Sequence, residues 1–248
     1  MRVKIAGPQG FSRPVLGDDA AAVDRIDYDW ARMHRAMRPG TNQWVVALRA
    51  AQLDAWCAEF LGRHPDAVVL HLGCGMDTRA FRLRPPREVR WFDVDQPGVV
   101  ALRRKLYSDG DGYRMIGSSV TDAGWLEQTP TDRPALIVAE GLLMYLRESE
   151  VRALLRRLTD RFPQGEMLFD TLSPMGPRLS KLFTKGIVTW GIRDGHDLER
   201  WNPRLRLLDR RSALAGYEKI PATAQRLMYR LVCATPLRDY DVLNRFVF

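Results

Sequence analysis

Apolar positions recur along this chain in two rhythms. Over residues 43–61, Val46, Leu53, Trp56 and Phe60 fall seven, three and four apart, which puts them on one face of a helix that Gly62, His64 and Pro65 then break. Short segments rich in apolar and β-branched residues follow at 67–72, 89–94, 113–116, 135–139 and 167–171, each of a length that suits a buried strand. Helix-compatible segments lie between them. The one opening at Glu148 or Ser149 carries Val151, Leu154, Leu155, Leu158 and Phe162 on one face. Past Leu172 the rhythm is lost, and Ser173-Pro174, Gly176-Pro177, Gly186, Gly191, Gly195 and Asn202-Pro203 make 172–211 an irregular insertion, expected on the substrate side. A short helix at 212–216 and a closing pair of strands at 223–234 and 239–248 complete the prediction. Strands alternating with helices, then a hairpin, indicate an α/β fold: a doubly wound sheet with an antiparallel edge strand.

Two departures from the pattern carry chemistry. Arg49 falls three after Val46 and four before Leu53, inside the buried stripe, where a guanidinium needs an anionic partner or carries a desolvation cost of several kcal/mol. Spacing leaves open whether that partner is a protein carboxylate or a ligand's. The run 67–72 ends at Gly73-Cys74-Gly75, a strand, tight turn and helix opening in which glycine lets a ligand lie against the backbone. A dinucleotide fingerprint wants a third glycine or alanine where Thr78 stands, and no Gly-Lys-Ser/Thr follows to hold a triphosphate. A nucleoside cofactor without phosphates remains, and S-adenosylmethionine is the common one. About twenty residues on, at the end of the second strand, Asp93 and Asp95 offer a carboxylate for a ribose. Asp77 is expected to cap the helix after the turn.

Composition narrows the class. A chain of 248 residues with 46% hydrophobic residues suits one domain over 1–248, with 1–44 as an N-terminal cap segment that includes a short helix at 23–38. Tyr28, Trp30 and His34 of that helix either face a substrate or pack on the body. No run approaches a membrane span and no signal core opens the chain, so a cytoplasmic protein is expected, with no membrane partner. Three scattered cysteines and four histidines at no ligand spacing indicate neither disulfides nor metal, and Cys74 reads as a small buried side chain. The net charge of +8 comes from arginines spread along the chain without interleaved aromatic stacking residues, so a solvated surface is expected, not a nucleic-acid partner.

Three ordered stretches carry a family resemblance: His-Leu-Gly-Cys-Gly-Met-Asp-Thr-Arg-Ala-Phe-Arg-Leu at 71–83, Trp-Phe-Asp-Val-Asp-Gln-Pro at 91–97, and Ala-Glu-Gly-Leu-Leu-Met-Tyr-Leu at 139–146. They resemble the leucine carboxyl methyltransferase family, most closely the bacterial branch that includes the tetracenomycin-type polyketide O-methyltransferases. The resemblance implies the seven-stranded class I, Rossmann-like methyltransferase sheet and S-adenosylmethionine as cofactor. It implies that Arg49 binds the methionine carboxylate, that Gly73 and Gly75 form the turn beneath the cofactor, and that Asp95 binds the ribose. Ser119 and Val120 then stand at the adenine, where many members carry an aspartate at the position of Ser119. Glu140 matches an acid beside the methionine end and Tyr145 a tyrosine near the transfer site. Asp77 and Arg79 match the branch's Asp-Thr-Arg and are read as a cap and an ion pair.

The expected reaction is O-methylation of a small-molecule acceptor, a polyketide-like or other secondary metabolite, at a carboxylate. Such an oxygen is ionised at neutral pH and needs no base. A phenol, with a pKa near ~10, would need one, and His196 in the insertion is the candidate. An RNA methyltransferase and a non-catalytic cofactor-binding protein are the remoter readings.

Overall fold

A computed structural model describes residues 39–183 and 186–248. The expected helix at 23–38 lies outside them, as does the cap segment up to residue 38. In chain order the elements are α1 (Pro39–Arg63), β1 (Val68–Leu72), α2 (Arg79–Arg82), β2 (Arg90–Asp95), α3 (Pro97–Arg103), β3 (Tyr113–Gly117), β4 (Ala135–Ala139), α4 (Glu148–Arg161), β5 (Gly165–Leu172), α5 (Met175–Phe183), α6 (His196–Trp201), β6 (Arg206–Ser212), α7 (Thr223–Cys233) and β7 (Asp241–Val247). None of the described helices is long and apolar enough to cross a membrane.

One seven-stranded sheet runs β3-β2-β1-β4-β5-β7-β6. The strands β1 to β5 pair in parallel, and β7 runs antiparallel to both β5 and β6. Because β1 is covered on both faces, its residues are all buried and, His71 apart, apolar without alternation, yet they divide by parity. Val68, Leu70 and Leu72 join a core with Val151, Leu154, Leu155 and Leu158 of α4, while Val69 joins Leu53, Trp56, Cys57 and Phe60 of α1 on the other face. The helical stripe from Leu53 onward is therefore what covers the sheet. Strand order reverses between β1 and β4, and in such a sheet the crevice at the carboxyl ends of those two strands is where a ligand sits.

The end of the chain corrects the expected hairpin. Residues 223–233 form α7, not a strand: Gln225, Tyr229 and Val232 turn inward at helical spacing, and Tyr229 packs with Trp44, Leu48 and Ile220. The true partner of β7 is β6, inside the stretch read as irregular. Its sequence Arg-Leu-Leu-Asp-Arg-Arg-Ser is that of an edge strand blunted by charge, which hides the apolar signal. The same insertion also contains α5 and α6.

Candidate functional site

The glycine turn is built as its residues require. Gly73 and Gly75 both take positive φ, +60° and +54°. The Gly73 N–H donates to the Val94 carbonyl at 2.8 Å, and a Cβ there would lie 2.9 Å from Leu142 Cδ1. At Gly75 a Cβ would meet nothing within 4 Å, so the backbone faces open space at the crevice. Asp95 clasps the turn: its Oδ2 accepts from the Gly75 N–H and its Oδ1 from the Gln96 N–H, each at 2.7 Å. Beneath, the fully buried Arg103 donates to the Gly75 and Asp77 carbonyls at 3.0 and 2.8 Å and pairs with Asp93. Asp93 also accepts from Trp91, from the Tyr113 hydroxyl at 2.6 Å and from His71. Burial would raise the Asp93 carboxyl, but Arg103 and the hydrogen bond from His71 outweigh it and hold the group below its ordinary value. Of the two acids at the end of β2, Asp93 thus belongs to the interior and Asp95 to the turn.

The N-cap position of α2 is Thr78, not Asp77, and its side chain makes no capping bond; Asp77 pairs with Arg82 and lies 3.5 Å from Arg79, both arginines of that helix. Arg79 is the ion-pair residue expected, fully buried and bonded to Asp54 at 2.7 Å and Glu140 at 2.6 Å. Burial pushes the Cys74 thiol well up, in keeping with an inert side chain.

At the other end of the crevice Arg49 meets three carboxylates. Its Nε donates to Glu140 Oε1 at 3.1 Å, and its Nη1 donates to Asp170 Oδ2 at 2.7 Å and to Asp241 Oδ2 at 3.1 Å. Its Nη2 makes no hydrogen bond to the described residues and lies against Gly141, whose added Cβ would come 3.3 Å from it. The protein carboxylates and a free edge of guanidinium therefore coexist, and the two alternatives left open by spacing are compatible. Burial above all, then the proximity of Asp170, pushes the Asp241 carboxyl up to about 7 against the opposing pull of Arg49. Tyr145 is half-exposed and feels Arg49, Asp170 and Asp241. Partial burial raises its phenol.

The structure brings most of the expected residues together along one edge of the sheet. Glu140 bonds Arg49, Gly75 bonds Asp95, and the Ser118 N–H donates to the Asp95 carbonyl at 2.9 Å, setting Ser119 next in line. The Ser119 hydroxyl is 2.7 Å from that of Thr121, and the Val120 side chain is buried in the core. His196 is not brought there. It lies exposed at the start of α6, with Nδ1 3.0 Å from Glu199 Oε2 of its own helix. Asp170 and Asp241 are the residues the sequence reading missed. An aspartate within the apolar run of β5 was a signal for the first, whereas Asp241 is one of two acids among its neighbours.

The edge suits a nucleoside cofactor with an amino-acid tail. Carboxylates line both ends, which would repel a pyrophosphate, while Asp95 keeps lone pairs for a diol and Arg49 Nη2 is available for a carboxylate. Among the described residues no group of acids, cysteines and histidines could hold a metal ion.

Comparison with known proteins agrees. Residues 9–111 match the model of the leucine carboxyl methyltransferase family. The chain is 46% identical over 209 residues to the tetracenomycin polyketide synthesis O-methyltransferase TcmP of Streptomyces glaucescens, covering 82% of this chain and 76% of that protein. It is 37% identical over 196 residues to the S-adenosyl-L-methionine-dependent methyltransferase dpfgK of Gibberella zeae, covering 71% and 65%. Among solved structures, a Thermobifida fusca protein described as a methyltransferase shares the fold with a TM-score of 0.64 at 16% identity, over 99% of this chain and 91% of that one. Mycolic acid cyclopropane synthase CmaA1, complexed with SAH and CTAB, shares it at 0.51 and 16% identity, over 78% and 82%. The chain belongs to the leucine carboxyl methyltransferase family and is an S-adenosylmethionine-dependent methyltransferase.

Proposed function

We propose that this enzyme transfers the methyl group to an oxygen of a small polyketide-like acceptor, and that the oxygen belongs to a carboxylate, giving a methyl ester. The similarity to a polyketide-synthesis O-methyltransferase supports the acceptor class. One observation favours a carboxylate over a phenol: no described histidine stands beside Tyr145. His71 is locked between Asp93 and Arg79, His64 packs tilted against Phe60 with ring centroids 4.6 Å apart, and His196 is on the surface.

S-adenosylmethionine supplies a methyl group already activated on a sulfonium. In this reading Arg49 holds the methionine carboxylate through Nη2, Asp95 accepts hydrogen bonds from the ribose, and Ser119 and Val120 border the adenine. Gly73 and Gly75 keep the turn low enough for contact with the backbone. Tyr145, at the mouth beyond Arg49, steers the acceptor oxygen into line, and closure of the crevice against water completes the arrangement. No side chain has to take a proton, since the acceptor arrives ionised.

Incubation with labelled cofactor and a panel of aromatic acids and phenols tests this, followed by base treatment of the product. Label released by base marks an ester and supports the reading. Label that survives marks an aryl ether and replaces a carboxylate by a phenol.

A further inference from the structure

Three carboxylates surround Arg49, and they are not equivalent. Glu140 has both oxygens engaged, Oε1 by Arg49 and Oε2 by Arg79 at 2.6 Å. Asp170 is likewise filled, Oδ2 by Arg49 and Oδ1 by the Gly141 N–H at 2.6 Å. Asp241 spends Oδ2 on Arg49, but its Oδ1 is buried and has no hydrogen-bond partner among the described residues. An unpaired buried carboxylate oxygen carries a desolvation cost that a native structure retains only for a reason. Its position supplies one. Asp241 heads β7 opposite Leu172, at the end of the sheet where β4 and β5 finish, beside the guanidinium that the reading above gives to the methionine carboxylate.

We propose that Asp241 is a cofactor-positioning residue whose Oδ1 accepts a hydrogen bond from the α-ammonium of the methionine moiety. The inference rests on the proposed role of Arg49. A carboxylate and an ammonium on one carbon need a cation and an anion close together, and Arg49 with Asp241 offers that pair at 3.1 Å. Asp170, sharing the same Nη1, keeps the local charge negative once Arg49 is counted. The groups facing Asp241 are Arg49 from α1, Glu140 just past β4, Tyr145 from the helical turn Leu143–Tyr145 that follows, Asp170 from β5 and Tyr240 immediately before β7. Burial above all, with Asp170 beside it, pushes the Asp241 carboxyl up to about 7 in the free protein, and an arriving ammonium favours the ionised form and sends the proton to solvent.

Calorimetry tests the proposal with S-adenosylhomocysteine and its analogue lacking the amino group, on the full chain and on Asp241→Asn. For the wild type the parent ligand is expected to bind at least about tenfold more tightly than the analogue, and Asp241→Asn is expected to erase most of that preference while leaving the analogue's affinity unchanged. Titration at pH 6.5 in buffers of different ionisation enthalpy adds a second readout: proton release on binding in the wild type, absent in the variant. Equal weakening of both ligands, or a preference untouched by the substitution, overturns the proposal. So does loss of turnover in Asp241→Asn with the preference intact, which would make the residue a base for the acceptor. If the folded wild type binds neither ligand, the cofactor reading itself falls; if Arg49→Met alone abolishes binding and Asp241→Asn changes nothing, only the inference does.

Discussion

Replacing Arg103 by methionine removes the cation on which the floor of the glycine turn rests. The side chain is fully buried, and so is its partner Asp93, so the change leaves a carboxylate in the interior without its counterion and frees the carbonyls of Gly75 and Asp77. Breaking a buried pair by deleting one member costs about 3–5 kcal/mol, and for a chain of this size that lowers Tm by on the order of 10 °C. The loss depends on pH with a definite sign. In the wild type the Asp93 carboxyl is held below its ordinary value, so its stabilising contribution is present above the unfolded pKa of about 4 and is lost as pH falls through the lower folded one. In Arg103→Met burial dominates and raises the folded value, so the penalty appears as pH rises above about 4 and is greatest near neutrality. Urea unfolding at pH 7 and 4.5 should therefore show a gap that narrows at the lower pH. Adding Asp93→Asn should restore at least ~1 kcal/mol at pH 7. A single variant within 1 kcal/mol of wild type, or a gap that does not narrow, would refute the assignment of Arg103 and Asp93 as a mutually dependent buried pair.

Other substitutions separate stability from ligand binding. Gly75→Ala places a side chain at φ +54° with nothing within 4 Å, so it should cost only about 1–2 kcal/mol of strain while weakening cofactor binding roughly tenfold or more in calorimetry, because the methyl enters the crevice. Gly165→Ala puts a Cβ 2.2 Å from the Ala135 carbonyl oxygen, and its yield of folded protein should collapse. His196→Ala should keep turnover within about threefold, since the ring is exposed and bonds only Glu199; a collapse would put the imidazole at the site after all. Asp241, raised to about 7 chiefly by burial, binds a proton in the folded state that the unfolded chain releases near pH 4, so its contribution is full below about 4 and is lost as pH rises through 7. Ligand-free Asp241→Asn should thus gain on the wild type between pH 5 and 8, by on the order of 1–3 kcal/mol in thermal or urea melts, with no gain at pH 4.

The parallel half of the sheet was legible along the chain because each of its strands is a short local segment rich in apolar residues, and the stripe of α1 and the face of α4 announced themselves by period. Residues 71–97 and 139–146 likewise carried the glycine turn, Asp95 and Glu140, since a tight turn and the acids that end the parallel strands are local features of the chain. The other half was not legible in this way. The charged edge strand β6 conceals its pairing, and only the fold decides that 223–233 winds into a helix on α1 while 206–212 joins β7. The surroundings of Arg49 show the same division. Its place inside a buried stripe already demanded an anion, but Glu140, Asp170 and Asp241 are 91, 121 and 192 residues away, and no local pattern selects among the chain's acids. Sequence determined that a buried cation must be answered; the packing of β4, β5 and β7 at one edge decided which carboxylates answer it and left one oxygen over.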